Sequence, residues 1–179
     1  FKELANSIDI PILLYNNPGT SGSDLLPETV ARLSEIENVR GIKESTGNMQ
    51  RVHAIQMASS ERLEIVCGCD TLPLEMFRMG VEGWVAAPAN TIPAECVKLY
   101  ELAIEKKDEV NARALYFNLL PLMELFEDTG QYVQLNKCAL ELMNKSIGLP
   151  RKPLLPCDSQ LKKKLGDILE QIHQTSELW

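Results

Sequence analysis

Four short apolar runs, rich in β-branched residues, constrain the fold of this chain more than any other feature. They occupy residues 10–15, 39–43, 63–67 and 83–87. Near-continuous apolar runs of this length are typical of strands that are buried on both faces of a parallel sheet. The segments between them carry apolar residues at helical spacing. Strand alternating with helix predicts βα units and a parallel sheet, and so a protein of the α/β class.

Local signals set the expected helix boundaries. The helix after the first strand is expected to take Asp24 as its N-cap, with Pro27 and Glu28 in its first turn. The apolar face of the next helix is expected to consist of Met49, Val52, Ile55 and Met57. From about Asp108 the pattern becomes purely helical, over residues 108–127, 131–145 and 159–177. The chain is therefore divided into a βα part, residues 1–107, and a helical extension, residues 108–179.

Composition narrows the range of partners. The 179 residues are 45% hydrophobic, which suffices for one core, and the formal net charge is −7. This charge argues against a nucleic-acid or anionic-membrane partner. No stretch approaches the ~20 apolar residues of a membrane helix, and no secretory signal is evident. The five cysteines are odd in number and scattered along the chain, which suggests reduced thiols. A cytoplasmic location is therefore expected. A start at Phe1, inside an apparent helix, suggests a piece of a longer protein.

The carboxyl ends of parallel strands gather on one face, where ligands bind. Here those ends carry Tyr15, Lys43, Gly68 and the turn that follows Val85. A lysine in a largely dry pocket is driven towards its neutral amine, which can attack a carbonyl and form an imine. A nearby phenol can relay protons during that reaction. The alternatives are a surface lysine at a strand end and a tyrosine of the core.

Other candidate sites carry less weight. Cys67 and Cys69 with one nearby histidine form a weak metal motif, because zinc usually takes four well-spaced ligands. His53 and His173 are expected at the surface, as are the three lysines of residues 162–164. No Gly-x-Gly-x-x-Gly follows a strand, so a dinucleotide site is unsupported. Neither a metal nor an organic cofactor is predicted.

Two motifs carry a resemblance to a known family. Residues 15–22 read YNNPGTSG, and residues 41–48, GIKESTGN, place Lys43 28 positions after Tyr15. This pair resembles the dihydrodipicolinate synthase / N-acetylneuraminate lyase family. Residues 68–70 and 80–85 are similar to the next two strand ends of that family. The resemblance implies that the chain is the second half of a TIM (β/α)8 barrel followed by a C-terminal helical extension, in a homo-oligomer, either a tetramer or a dimer.

The resemblance also implies roles for individual residues. Lys43 would form the imine with pyruvate or another 2-oxo acid, and Tyr15 would shuttle the proton. Gly68 and the backbone at Val85 would line the pyruvate pocket. Two further positions, Ser45 and Asp70, match residues that touch the longer substrate in some members.

Two departures from the family pattern limit what can be inferred. Thr20 stands where synthases usually carry an arginine that pairs with the second substrate's carboxylate, and threonine cannot make that contact. The first four βα units, with a threonine pair and a second tyrosine of the site, have no counterpart here. A four-stranded sheet would also leave exposed edges, a predicted association surface.

Three functional hypotheses remain. The first is an imine-forming (class I) lyase or aldolase that acts on pyruvate or a 2-oxo acid. The second is authentic 4-hydroxy-tetrahydrodipicolinate synthase of lysine biosynthesis. The third is a non-catalytic half-barrel that serves as an assembly or interaction piece.

Overall fold

A computed structural model describes residues 1–175 of the chain. The described residues form two compact units, the first from Phe1 to Val85 and the second beginning at Ala86. The boundary expected from the sequence, between residues 107 and 108, lies inside the second unit. The division of the complete protein at this point, into a barrel and a helical extension, stays a prediction.

The first unit is built on a parallel sheet of four strands in sequential order. The strands are β1 (Ile12–Asn16), β2 (Val39–Glu44), β3 (Glu64–Cys67) and β4 (Gly83–Trp84). Each overlaps one of the four apolar runs, so the predicted parallel sheet is confirmed. β1 and β2 extend one residue past their runs, to Asn16 and Glu44. The fourth strand is shorter than the run that predicted it. Val85 N still donates to Cys67 O at 3.0 Å, but the backbone at Ala87 is already helical, which ends the extended conformation.

The first unit contains five helices besides the sheet. They are α1 (Lys2–Asn6), α2 (Pro18–Ser21), α3 (Pro27–Ser34), α4 (Met49–Ala58) and α5 (Pro73–Arg78). The core forms where the sheet packs on α3, α4 and α5, and it includes Leu14, Ile42, Val30, Ile55 and Met76. Along β1, Leu14 is buried while Leu13 and Tyr15 are about half exposed. The strand therefore presents Tyr15 on the face opposite the core.

Two expectations about these helices are wrong. Asp24 does not cap α3, which begins at Pro27 after an extended Leu26 whose side chain makes no cap hydrogen bond. The Asp24 carboxylate instead pairs with Arg51. Met57 does not belong to the apolar face of α4, because it is 89% exposed. Ile55, two residues earlier, is fully buried. A helix advances about 100° per residue, so two residues carry Met57 to the opposite side of α4.

The second unit is helical. After a short 3₁₀ turn (Pro88–Asn90), it contains α6 (Pro93–Tyr100), a π-helical turn (Glu101–Glu105), α7 (Glu109–Thr129), α8 (Tyr132–Leu142) and α9 (Ser159–Thr175). Asp108 caps α7, accepting a hydrogen bond from Asn111 N at 3.2 Å. Gly130 ends that helix with a left-handed φ of 63°, a conformation that glycine adopts without strain.

The predicted helices of this unit agree with the structure except at their ends. Helix α8 stops at Leu142 rather than at residue 145, and Asn144 has a positive φ of 58°. Residues 176 and 177 of the third predicted helix lie outside the described residues. Lys163 and Lys164 are exposed as expected, whereas Lys162 pairs with Glu141 at 2.9 Å. Among residues 1–175, no helix is both long enough and apolar enough to cross a membrane.

Helix α4 offers a matched pair of substitutions that tests the placement of the core. Ile55→Ala should lower the free energy of unfolding by about 2–5 kcal/mol, because it removes a fully buried side chain. Met57→Ala should change it by no more than about 0.5 kcal/mol, because Met57 is exposed. Chemical denaturation followed by circular dichroism measures both. Equal losses for the two variants would contradict this packing.

Candidate active site

Tyr15 and Lys43 lie side by side at the carboxyl ends of two neighbouring strands. They are register partners in the β1–β2 ladder, followed by the pair Asn16 and Glu44. Lys43 Nζ lies 4.2 Å from the centroid of the Tyr15 ring. A cation at this distance from an aromatic face is attracted by the negative potential of the ring. The two residues predicted to carry the chemistry are therefore in direct contact.

The surroundings of Tyr15 lower the pKa of its hydroxyl. Partial burial is the largest single influence, and it acts to raise the pKa. It is outweighed by the side-chain hydrogen bond of Asn17, by the hydrogen bond and positive charge of Lys43, and by a contribution from Ser45. Asn17 Nδ2 donates to the Tyr15 hydroxyl at 3.0 Å. Donors and a cation favour the phenolate, so this phenol releases a proton more readily than an ordinary tyrosine.

Gly68 packs against the lysine. A Cβ atom at this position would overlap Ser45 Oγ and would come within 2.9 Å of both Lys43 Cε and the carbonyl oxygen of Glu44. Only glycine fits this space without displacing the lysine stem. Ser45 Oγ is buried and has no hydrogen bond of ordinary geometry within residues 1–175, although it helps to lower the pKa of Tyr15. Gly68, Ser45 and Lys43 are thus brought together.

The other expected substrate-binding residues occupy neighbouring positions. Val85 follows β4, and its amide is already used in the sheet. Asp70 follows β3, is only 2% exposed and accepts a hydrogen bond from Trp84 Nε1 at 3.1 Å. This carboxylate therefore joins the ends of β3 and β4. Thr20 is exposed in α2.

Three residues of the site were not singled out from the sequence. They are Asn17, which bonds the Tyr15 hydroxyl, and the buried pair Asn16 and Glu44. A signal for the buried pair existed, because each follows an apolar residue two positions earlier, Leu14 and Ile42, and so points to the core side of its strand. A polar residue at such a position needs a buried partner.

The cysteines at the end of β3 are engaged in local contacts. Cys67 Sγ donates to Cys69 O at 3.2 Å, and Cys69 Sγ lies 3.3 Å from Thr71 Oγ1. His53 is exposed on α4. Within the part of the chain that the structure describes, no group of three or more His, Cys, Asp or Glu side chains is arranged to hold a metal ion.

The fold and site define an α/β protein that presents a lysine amine beside an acidified phenol at the carboxyl ends of parallel strands. Residues 1–172 match the model of the dihydrodipicolinate synthetase family, and the chain belongs to this family. It is 34% identical over 173 residues to the 4-hydroxy-tetrahydrodipicolinate synthase of Synechococcus elongatus. The aligned region covers 96% of this chain and 57% of that relative. It is 41% identical over 171 residues to the enzyme of the same name from Pseudomonas savastanoi pv. phaseolicola, with 96% and 58% covered.

Solved structures agree with this assignment. The 4-hydroxy-tetrahydrodipicolinate synthase of Methylacidiphilum fumariolicum SolV superposes with a TM-score of 0.91 at 33% identity, covering 100% of this chain and 61% of that one. The dihydrodipicolinate synthase of Aquifex aeolicus gives 0.88 at 28%, covering 96% and 58%. The chain therefore spans less than two thirds of the length of these relatives. The predicted fold class, half of a (β/α)8 barrel followed by a helical extension, is confirmed.

The hydrogen bond from Asn17 provides a test of this geometry. Asn17→Ala should raise the pKa of Tyr15 towards its ordinary value, because it removes a donor that favours the phenolate. The titration is followed by the ultraviolet absorbance of the phenolate, as the difference from a Tyr15→Phe background. Asn6→Ala, an exposed asparagine of α1, serves as the control and should leave the curve unchanged. A Tyr15 pKa that stays put or falls in Asn17→Ala would contradict the assigned hydrogen bond.

Proposed function

We propose that the complete protein is an imine-forming (class I) lyase or aldolase that acts on pyruvate or another 2-oxo acid, with Lys43 as the nucleophile. The observation that carries this proposal is the contact between the Lys43 amine and the Tyr15 ring at the carboxyl ends of β1 and β2. Family membership supports it, because the curated relatives at 34% and 41% identity are named 4-hydroxy-tetrahydrodipicolinate synthase.

The proposed reaction begins with attack of Lys43 Nζ, as the neutral amine, on the carbonyl carbon of the 2-oxo acid. This forms a carbinolamine, and the Tyr15 hydroxyl delivers the proton with which the carbinolamine oxygen leaves as water. The protonated imine that results withdraws electrons from the adjacent carbon, where a carbon–carbon bond is then made or broken. The lowered pKa of Tyr15 supports this role, because a proton relay works best when its pKa is near the working pH.

The remaining predicted residues line the proposed pocket. The absence of a side chain at Gly68 lets Ser45 and the Lys43 stem pack against its backbone. Gly68 and the backbone at Val85 are assigned to the border of the pyruvate pocket. The Ser45 hydroxyl is buried in the described structure, so it would rotate out of its present position to reach a substrate oxygen. Asp70 and Thr20 are assigned to the longer substrate. Asp70 is buried and accepts a hydrogen bond from Trp84, so its contact with a substrate would require the end of β3 to rearrange.

The proposed reaction also has consequences for cofactors, location and oligomeric state. Imine chemistry at Lys43 requires neither a metal nor an organic cofactor. The complete protein is proposed to be a cytoplasmic homo-oligomer, a tetramer or a dimer. Tyr15 and Leu13 are 55% and 52% exposed on the open face of the sheet. We infer that further βα units cover this face in the complete protein. They would also pair with the edge strands, which a half-sheet leaves unpaired.

Borohydride trapping tests the nucleophile. Incubation of the complete gene product with pyruvate and sodium borohydride should give one covalent adduct, located at Lys43 by peptide mass spectrometry. Reduction fixes the imine as a stable secondary amine. Lys43→Arg keeps the positive charge but should give no adduct, because guanidinium is not deprotonated in proteins. Trapping at a different lysine, or equal trapping in Lys43→Arg, would contradict the assignment.

A second candidate, 4-hydroxy-tetrahydrodipicolinate synthase itself, is favoured by the names of the curated relatives. Its second substrate, aspartate semialdehyde, carries a carboxylate that Thr20 cannot bind through a charged, bidentate contact.

Steady-state assays with aspartate semialdehyde separate these two candidates. Wild-type protein should turn it over weakly or not at all. Thr20→Arg should raise kcat/KM by roughly tenfold or more, because a charged hydrogen bond contributes about 1.5–3 kcal/mol. Thr20→Lys, which adds the charge without the planar fork, should gain less. Efficient turnover by wild-type protein, with no gain from arginine, would instead establish the synthase.

A further inference from the structure

Two polar side chains are buried on the core side of the sheet, directly behind the catalytic pair. Asn16 is 1% exposed and Glu44 is 2% exposed. They are register partners one residue beyond Tyr15 and Lys43, so they point to the opposite face of the sheet. Burying such groups costs free energy unless each is hydrogen-bonded, so their partners show what the structure requires of them.

Asn16 uses its whole amide to tie three segments together. Its Nδ2 donates to Glu44 Oε2 at 3.0 Å and to Asp24 Oδ1 at 3.2 Å. Its Oδ1 accepts from Leu25 N at 3.0 Å. The other carboxylate oxygen of Glu44 accepts from Thr46 N at 2.7 Å. The end of β1 is therefore joined both to the end of β2 and to the segment that leads into α3.

Arg51 completes this network from the first turn of α4. Its two terminal nitrogens donate to the two oxygens of Asp24 at 2.7 and 2.8 Å, and one also donates to Leu25 O at 3.2 Å. The backbone of Arg51 is itself fixed, because its amide donates to the Asn48 cap at 3.3 Å. The Arg51 guanidinium lowers the pKa of the Asp24 carboxyl, so this ion pair is lost only as the pH falls through that lowered value.

The network holds both ends of one turn. The turn consists of residues 17–23, which lie between Asn16 and Asp24. Most of its described hydrogen bonds join residues within the turn. Asn17, the first residue of the turn, donates to the Tyr15 hydroxyl. Thr20 lies in its middle. A turn whose tip is exposed and whose two ends are fixed takes its position from those ends.

We propose that Arg51, acting through Asp24 and Asn16, is a positioning residue that holds the turn of residues 17–23, and with it the Asn17–Tyr15 hydrogen bond, beside Lys43. The effect on rate rests on the proposed function, whereas the effect on the geometry of Tyr15 does not. Arginine suits this role because its planar fork engages both oxygens of a carboxylate, which fixes direction as well as distance.

A graded series of variants tests this role in the complete gene product. Arg51→Lys keeps the charge but loses the bidentate geometry, and Arg51→Met loses both. Arg32→Met, at an exposed position on α3, is the matched control. Each variant is titrated for the phenol of Tyr15 as the difference from the same variant with Tyr15→Phe. Each is also assayed for kcat and KM in the exchange of pyruvate methyl protons with deuterium in D2O, a turnover that passes through the imine and needs no second substrate. Far-ultraviolet circular dichroism identifies the variants that fold.

The expected order is the same in both measurements. The Tyr15 pKa should rise, and kcat should fall by roughly 10- to 100-fold, most in Arg51→Met and less in Arg51→Lys, because a displacement of about 1 Å can cost about 100-fold. The KM for pyruvate should change less than kcat, and Arg32→Met should match wild-type protein. If Arg51→Met fails to fold, Arg51→Lys carries the test.

Two results are decisive against the role of Arg51. One is a Tyr15 titration in the folded Arg51 variants that coincides with that of Arg32→Met. The other is a loss of thermal stability with kcat unchanged, which would make Arg51 structural only. If wild-type protein gives no borohydride adduct with pyruvate, the proposed function fails, and the Tyr15 titration still decides the positioning role.

Discussion

The side-chain hydrogen bond between Asn16 and Glu44 is the interaction on which the geometry of the site depends. It is buried and 3.0 Å long, and it joins two neighbouring strands at the point where both leave the sheet. Because side chains alternate along a strand, locking this pair on the core side also fixes Tyr15 and Lys43 on the open side. A slip of one residue would exchange the faces, placing a lysine and a phenol on the core side and moving Asn16 and Glu44 to the open side.

The two faces of the sheet do different work. On the core side, aliphatic residues of the strands pack against α3, α4 and α5 and make the first unit compact. On the open side, close approach is permitted by glycines. A Cβ at Gly41 would lie 2.8 Å from Leu13 Cδ1 and 2.9 Å from Glu64 O, and one at Gly68 would displace Ser45. The space that a Cβ would take is filled by Leu13 at Gly41, and by Ser45 and the Lys43 stem at Gly68.

Most of the fold and the central pair of the site could be predicted from sequence. The four apolar runs predicted β1 to β4, and reading the last residue of each strand gave Tyr15 and Lys43. The features that could not be predicted depend on which of several possible partners a side chain bonds in the folded chain. Asp24 has the chemistry of a helix cap, but Arg51, 27 residues away, offers it a bidentate ion pair, and Pro27 starts the helix without it. The hydrogen bond from Asn17 to the Tyr15 hydroxyl could not be predicted either, because it depends on how the chain turns after β1. The catalytic roles of Lys43 and Tyr15 stay predictions, as do the roles of Gly68, Ser45, Asp70, Val85 and Thr20.

The most direct measurement is a crystal structure of the complete protein after reduction with borohydride in the presence of pyruvate. The account predicts a covalent bond from Lys43 Nζ to the former carbonyl carbon. It also predicts the Tyr15 hydroxyl within hydrogen-bond distance of the reacting atoms, and the Asn16–Glu44 bond intact behind them. An adduct on another lysine, or a Tyr15 hydroxyl out of reach of an adduct on Lys43, would contradict it.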